Sequence, residues 1–128
     1  MKHQNKNKKF NRDTNQRKAL FKSLVVSLIR DEEIKTTLAK AKILKKMADS
    51  ILSRAQKGSL AVRRQIYAFL SNKKIVNKLI DDVAPRFEKI GGGFTRLTRI
   101  GSWTGLMTSG KRHPANGLSS CVVCGAGT

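Results

Sequence analysis

The apolar residues of this chain recur at helical spacing in four stretches. In the first stretch, apolar positions between Leu20 and Ile29 fall three and four residues apart, so that they share one face of a helix. Ser59 precedes the third stretch as an N-cap residue would, and Pro85 is expected to end the fourth. The pattern predicts helices over about 15–30, 38–57, 60–70 and 73–83.

Two shorter segments favour β-strands. Within residues 31–38, Ile34, Thr36 and Leu38 alternate with more polar residues, which is typical of a half-buried strand. The segment 91–101 contains Thr, Phe and Ile between glycines and is the second candidate strand. We therefore expect an α/β (α+β) fold in which about four helices pack on a small sheet.

The two ends of the chain lack this patterning. Residues 1–12 are rich in Lys, Asn and Gln, and we expect an extended basic N-terminal arm that is disordered without a partner. Residues 102–128 are rich in Gly, Ser and Thr, and we expect an irregular C-terminal tail. The predicted organisation is an arm over 1–12, a single domain over 13–101 and a tail over 102–128.

Positive charge dominates the composition. The 128 residues include 27 Lys and Arg against 8 Asp and Glu, for a net charge of +19. Nine of the first 30 residues are basic and only Asp13 is acidic, while Glu88 is the last acid of the chain. Because a small protein cannot neutralise such an excess internally, its own field opposes compaction. A polyanion is the expected partner, and RNA or DNA comes first, so the domain over 13–101 is predicted to bind nucleic acid.

Other classes of protein are disfavoured. No apolar run approaches the roughly 20 residues of a membrane span, and the basic N-terminus lacks the apolar segment of a secretory signal. No paired carboxylates or activated nucleophile indicate an enzyme. Cys121 and Cys124 form one C-x-x-C pair with only His113 nearby, too few ligands for structural zinc, so no metal or cofactor is expected.

Aromatic residues are few, and Phe21 and Phe69 lie on or beside apolar helical faces. We therefore expect them in the core and expect no platform for stacking bases. Binding should then rest on phosphate and ribose contacts and on shape.

An ordered series of motifs runs through the first hundred residues. The motifs are His3 with Asn5, Asn11-Arg12, Arg17-Lys18-Ala19-Leu20, Ser27-Leu28-Ile29, Thr36–Lys42, Ala61 with Arg63-Arg64, Ala84-Pro85-Arg86 and Gly92–Gly101. In this order the chain resembles the bacterial large-subunit ribosomal protein L17 family over residues 1–101. After Gly101 the chain departs from the family pattern, and no acid follows.

The resemblance implies a structural constituent of the bacterial large ribosomal subunit that is not an enzyme and needs no cofactor. It also implies binding to large-subunit (23S) rRNA near the peptide exit tunnel, beside neighbouring ribosomal proteins, in the cytoplasm. No small-molecule substrate and no membrane partner are implied. Family RNA contacts would map onto the basic arm, the Thr36–Lys42 segment and the region from Arg86 to Arg99.

We expect RNA contacts from side chains in these three places. The expected phosphate contacts are Lys2, Lys6, Lys8, Lys9, Arg12, Arg17, Lys18, Lys22, Lys35, Lys40, Lys42, Arg86, Arg96 and Arg99, joined by Thr36 and Thr37. His3 and Asn11 are expected to hydrogen-bond ribose or base edges. Gly91 and Gly92 either let an RNA backbone approach closely or serve as a plain hinge. A cationic DNA-compacting or membrane-surface protein remains the alternative.

Overall fold

Helices dominate the fold. The computed structural model describes residues 8–89 and 91–98, together with 118–122 as a strand. The α-helices are α1 (Thr14–Asp31), α2 (Leu38–Ala55), α3 (Leu60–Leu70) and α4 (Lys73–Asn77). The strands are β1 (Glu33–Thr37), β2 (Arg96–Thr98) and β3 (Leu118–Val122). The four predicted helices are confirmed, but the strands are short, so the expected α/β character is confirmed only in part.

Side-chain caps fix two of the helix starts. The hydroxyl of Ser59 accepts a hydrogen bond of 3.3 Å from the backbone N–H of Val62, which satisfies a free donor in the first turn of α3. The side chain of Asn72 accepts bonds from the backbone N–H groups of Lys74 and Ile75 at the start of α4. The predicted starts of these two helices are therefore confirmed.

The end of the fourth predicted helix differs from expectation. Its α-helical part stops at Asn77, and the backbone continues as a π-helical turn over Lys78–Val83 and a 3₁₀ turn over Ala84–Phe87. Pro85 lies at the start of that 3₁₀ turn, where the missing N–H of proline has no hydrogen bond to lose. The fourth helix nevertheless ends at Val83, as the prediction over 73–83 with Pro85 as its stop requires, and a separate short 3₁₀ turn follows.

The core lies among the buried faces of the helices. One cluster includes Val25 of α1, Leu44 of α2 and Leu70 of α3, each at most 1% exposed. Phe87 and Phe94 belong to the same cluster and meet edge to face, with ring centroids 5.5 Å apart. Phe94 thereby fixes the segment that leads into β2 against the helices.

The strands pair in the order β1–β3–β2, and both pairs are antiparallel. The sequence predicts an irregular tail after residue 101, yet β3 lies within it, because β1 and β2 offer edges for it to pair with and context overrides weak local preference. The strand predicted over 91–101 forms only at Arg96–Thr98 among the residues described. Before it, Gly93 adopts a φ of +71°, which glycine accepts without strain.

Candidate nucleic-acid interface

A groove lined by lysines runs along one side of α2. Its volume is about 450 Å³, and we call it the lysine groove; its lining residues are Lys8, Ala39, Lys42, Ile43, Lys45, Lys46, Asp49 and Leu97. Lys42, Lys45, Lys46 and Asp49 are spaced three and four apart, so they occupy one face of the helix. The arm and β2 contribute one residue each.

The opposite face of α2 holds this row of lysines in place. Ala41, Leu44 and Ala48 are each at most 5% exposed and pack into the core. The lysines crowd the first half of the helix, where the positive end of the helix dipole makes cations unfavourable. That half has no acidic residue in its first turn to offset the effect. The arrangement therefore concentrates positive potential in the groove.

None of the ammonium groups of the four groove lysines forms an ion pair or hydrogen bond with another described residue. The single carboxylate of the groove, Asp49, forms its hydrogen bonds with Thr95 and not with these lysines. Its Oδ1 accepts hydrogen bonds from the backbone N–H of Thr95 at 3.1 Å and from the Thr95 hydroxyl at 2.8 Å. Thr95 is only 3% exposed, so these bonds satisfy polar groups that water cannot reach. They also hold the segment that precedes β2 against α2, and β2 itself carries Leu97.

The base of the arm is attached to α1. The rings of Phe10 and Phe21 meet edge to face with centroids 5.6 Å apart, and Phe21 is buried. Phe10 and Asn11 both have positive φ values, 55° and 51°, so the chain turns sharply here. The Arg17 guanidinium donates to the backbone oxygen of Arg12 at 3.2 Å. This turn places Lys8 at the lysine groove.

The remaining predicted contacts in the arm and α1 differ in exposure and in whether they have a hydrogen-bond partner. Lys9, Arg12 and Lys18 are exposed, whereas the ammonium group of Lys22 donates to the Ser71 hydroxyl at 2.8 Å. Lys2, His3 and Lys6 lie outside the described residues.

The predicted contacts around β1 and β2 are not among the described lining residues of the groove. Lys35 and Arg96 are exposed on their strands, and Thr36, Thr37 and Lys40 are half-buried. Gly91 and Gly92 have open space where a side chain would stand, and neither has a positive φ, so internal packing does not explain them. Arg99 lies outside the described residues.

Arg86 belongs to a different electrostatic setting. Its guanidinium donates to both oxygens of Asp82 at 2.8 Å and to Glu32 at 3.0 Å. The hydrogen bonds that Arg86 donates to Asp82, and then to Glu32, raise the pKa of Arg86 above its ordinary value. The structure thus gives Arg86 intramolecular partners, and its expected RNA contact stays a prediction.

Arg86 is part of a cluster that we call the acid-paired region. It comprises Arg30, Asp31, Glu32, Arg63, Lys78, Asp81, Asp82 and Arg86. Arg63 meets Asp81 at 2.7 Å, and that hydrogen bond raises the pKa of Arg63. Four of the chain's eight acids lie in this region, and every one of the four is paired there.

Sequence reasoning missed part of the groove. Lys45 and Lys46 continue the row begun by Lys42, and their spacing on the helix is a signal that could have found them. The role of Asp49 depends on Thr95, 46 positions away in the chain. No local pattern reveals such a contact.

Within the described residues there is no cluster of His, Cys, Asp and Glu suited to a metal ion. His113 and Cys124, which bear on the predicted absence of a zinc site, lie outside those residues. No helix in the described part of the chain is long and apolar enough to cross a membrane.

A helical core that presents a groove of unneutralised lysines defines a small basic protein whose surface suits a polyanion. Residues 20–109 match the family model described as ribosomal protein L17. The chain belongs to this family. It is therefore a ribosomal protein of the large subunit, involved in translation, and not an enzyme, which confirms those predictions.

Individual relatives show the same relationship. The chain is 40% identical over 105 residues to the large ribosomal subunit protein bL17 of Desulforapulum autotrophicum, covering 82% of this chain and 88% of the relative. It is 42% identical over 101 residues to the bL17 of Thermodesulfovibrio yellowstonii, covering 79% and 76%. The bL17 of Desulfosudis oleivorans is 42% identical over 105 residues, 82% of this chain but only 50% of that longer relative.

Proposed function

We propose that the chain binds large-subunit (23S) rRNA through the lysine groove and the basic arm, as a structural component of the large subunit near the peptide exit tunnel. The observation that carries the proposal is the groove itself, in which four lysines have no described partner and the one acid is bonded to Thr95. Neighbouring ribosomal proteins and a cytoplasmic location belong to the same proposal, through the family.

The chemistry of binding is the exchange of counterions for phosphates. Each lysine that contacts a phosphate releases counterions from the RNA, which makes affinity fall steeply as salt rises. Lysine presents a compact point charge, so the groove would position RNA by its backbone and shape and leave base edges unread. The arm would become ordered against RNA at an entropic cost, and counterion release offsets that cost.

The arm and the groove are tested together by truncation. We expect deletion of residues 2–9 to weaken binding to deproteinised 23S rRNA and incorporation into large subunits. Phe10 stays in place in this variant, so its contact with Phe21 is kept and circular dichroism should show an unchanged helical core. A full-length variant with Lys6, Lys8 and Lys9 changed to Gln separates loss of charge from loss of chain.

Three results bear on the proposal. The intact chain should bind 23S rRNA with a slope of log affinity against log salt of about −4 to −9, as for roughly 6–10 phosphate contacts. A shallow slope, or unchanged incorporation after truncation, contradicts it. Sedimentation of the chain with nucleoid or lipid vesicles rather than with large subunits would favour the DNA-compacting or membrane-surface alternative.

A further inference from the structure

The exposed face of α3 carries two large apolar side chains that the core does not use. Leu60 is 63% exposed and Tyr67 is 50% exposed, and they are the exposed large hydrophobic residues of the described chain. They stand seven positions apart, about two helical turns, so they lie on the same face. Ile66, beside Tyr67 in sequence, is only 2% exposed, so the helix already contributes a separate face to the core.

Cations surround this apolar face. Leu60 and Tyr67 line a groove of about 270 Å³ together with Arg63, Arg64, Lys73, Val76 and Asn77. Arg63 is held by Asn77 at 2.9 Å and by Asp81 at 2.7 Å. Arg64 and Lys73 are exposed and have no ion pair or hydrogen bond to another described residue. No acid lines this groove, which leaves two cations beside a half-exposed aromatic ring.

This combination matches the chemistry of an unpaired nucleotide. A base offers a flat π-face that stacks on an aromatic side chain, and its phosphate requires a cation. Tyrosine and arginine are common at protein interfaces too, but a protein partner fits less well, because the cores of such interfaces are depleted of lysine and this groove includes Lys73 and no described acid. The described lining of the lysine groove has cations but no aromatic residue, so the two grooves would hold different parts of an RNA.

We propose, on the basis of the RNA-binding function above, that the α3–α4 groove holds an unpaired nucleotide of RNA. Its base stacks on Tyr67 against Leu60, and its phosphate lies between Arg64 and Lys73. Stacking of this kind tolerates any base, so the site adds affinity and register and no strict sequence preference.

The test is binding of the full chain to deproteinised 23S rRNA across a series of salt concentrations. We expect Tyr67→Leu, which keeps apolar volume but removes the ring, to weaken binding by about 5- to 100-fold. The salt slope should stay unchanged, because no phosphate contact is lost. Tyr67→Phe keeps the ring and should bind within about twofold of the parent chain. Ultraviolet irradiation of the complex should attach a nucleotide to the Tyr67 peptide, as detected by mass spectrometry.

The outcomes separate this inference from the function on which it rests. If the parent chain binds RNA with a steep salt slope and Tyr67→Leu binds equally well, the nucleotide site is overturned while the lysine groove stands. A Tyr67 peptide crosslinked to a neighbouring ribosomal protein in intact subunits would likewise overturn it. If the parent chain itself shows only shallow salt dependence, the proposed function fails and the inference fails with it.

Discussion

The acid-paired region and the lysine groove place basic side chains in opposite conditions on one small protein. Arg30, Arg63 and Arg86 each have a carboxylate within 2.7–2.9 Å. Lys42, Lys45 and Lys46 line a groove whose one carboxylate is already bonded to Thr95. Both groups stand on helical backbone, so secondary structure does not separate them. The placement of the few acids separates the two groups.

The difference shows which positive charge serves the fold and which is left for a partner. In the acid-paired region, Glu32 lies just after α1 and meets Lys78 and Arg86, so it links the end of that helix to residues far along the chain. Exposed ion pairs contribute little free energy each, so such links fix geometry more than they stabilise. The lysine groove keeps a net positive field because its four lysines outnumber its one carboxylate, Asp49, and none of their ammonium groups is paired with a described acid.

Removing three positive charges from either region should have opposite effects: a loss of RNA affinity in the lysine groove and a loss of stability in the acid-paired region. We expect the triple variant Lys42→Gln, Lys45→Gln and Lys46→Gln to bind 23S rRNA roughly 10²- to 10³-fold more weakly at about 0.1 M salt. The salt slope should become shallower by about 2 to 3. Its thermal unfolding midpoint should stay level or rise, since repulsion between lysines on one helical face is relieved.

The matched control is Arg30→Gln, Arg63→Gln and Lys78→Gln, which also removes three positive charges, each of them paired with a carboxylate in the acid-paired region. We expect a lower midpoint of urea unfolding, because carboxylates lose their partners, with much less effect on RNA affinity. If both triple variants lose RNA affinity to the same degree, net charge governs binding and the distinction between the two regions is wrong.

Two substitutions of Asp49, the single acid of the groove, separate the effect of its hydrogen bonds from the effect of its charge. Asp49→Ala leaves the N–H and hydroxyl of buried Thr95 without a partner, so the free energy of unfolding should fall by about 1–3 kcal/mol. Asp49→Asn keeps an oxygen that can accept both bonds, so it should cost less than about 1 kcal/mol. Because it also removes a negative charge, it should bind 23S rRNA at least as tightly as the parent chain.

Urea unfolding and RNA titration of the two variants provide the measurements. Equal destabilisation by Asn and Ala would mean that the charge of Asp49, and not its hydrogen bonds to Thr95, supports this side of the groove. Weaker RNA binding by the Asn variant would contradict the view that the groove acts through positive potential.

Local patterns predicted the helices well. The four helices and the Ser59 cap follow from apolar spacing and from a side chain that acts within one turn. The glycine-flanked strand begins later than its prediction over 91–101, because the backbone N–H of Thr95 bonds to Asp49 and not to a neighbouring strand.

The candidate site was predicted less completely than the helices. Charge counting found the arm and Lys42, but it treated every arginine and lysine as equally available. Arg86 and Lys22 are held by partners 54 and 49 positions away in the chain, at Glu32 and Ser71, so only the folded structure separates them from Lys42. The exposure of Tyr67 could not be predicted for the same reason, because an aromatic residue on a helix reveals its exposure only when the neighbouring elements are known.

Acidification should reveal a small contribution from the acid-paired region. The pKa of Asp31 lies below its ordinary value because the Arg30 guanidinium donates to both of its oxygens at 2.9 Å. A carboxyl whose pKa is lowered by folding stabilises the native state above its unfolded value of about 4. That contribution is lost as pH falls through the lower, folded value.

Asp31→Asn should therefore differ from the parent chain at pH 7 and converge with it in strong acid, as followed by urea unfolding. Because the two side chains are 62% and 46% exposed, the difference should be the smallest of those expected here and should shrink further in high salt. RNA affinity at pH 7 should be unchanged, and a variant equally destabilised at every pH would show that Asp31 acts through packing and not through its charge.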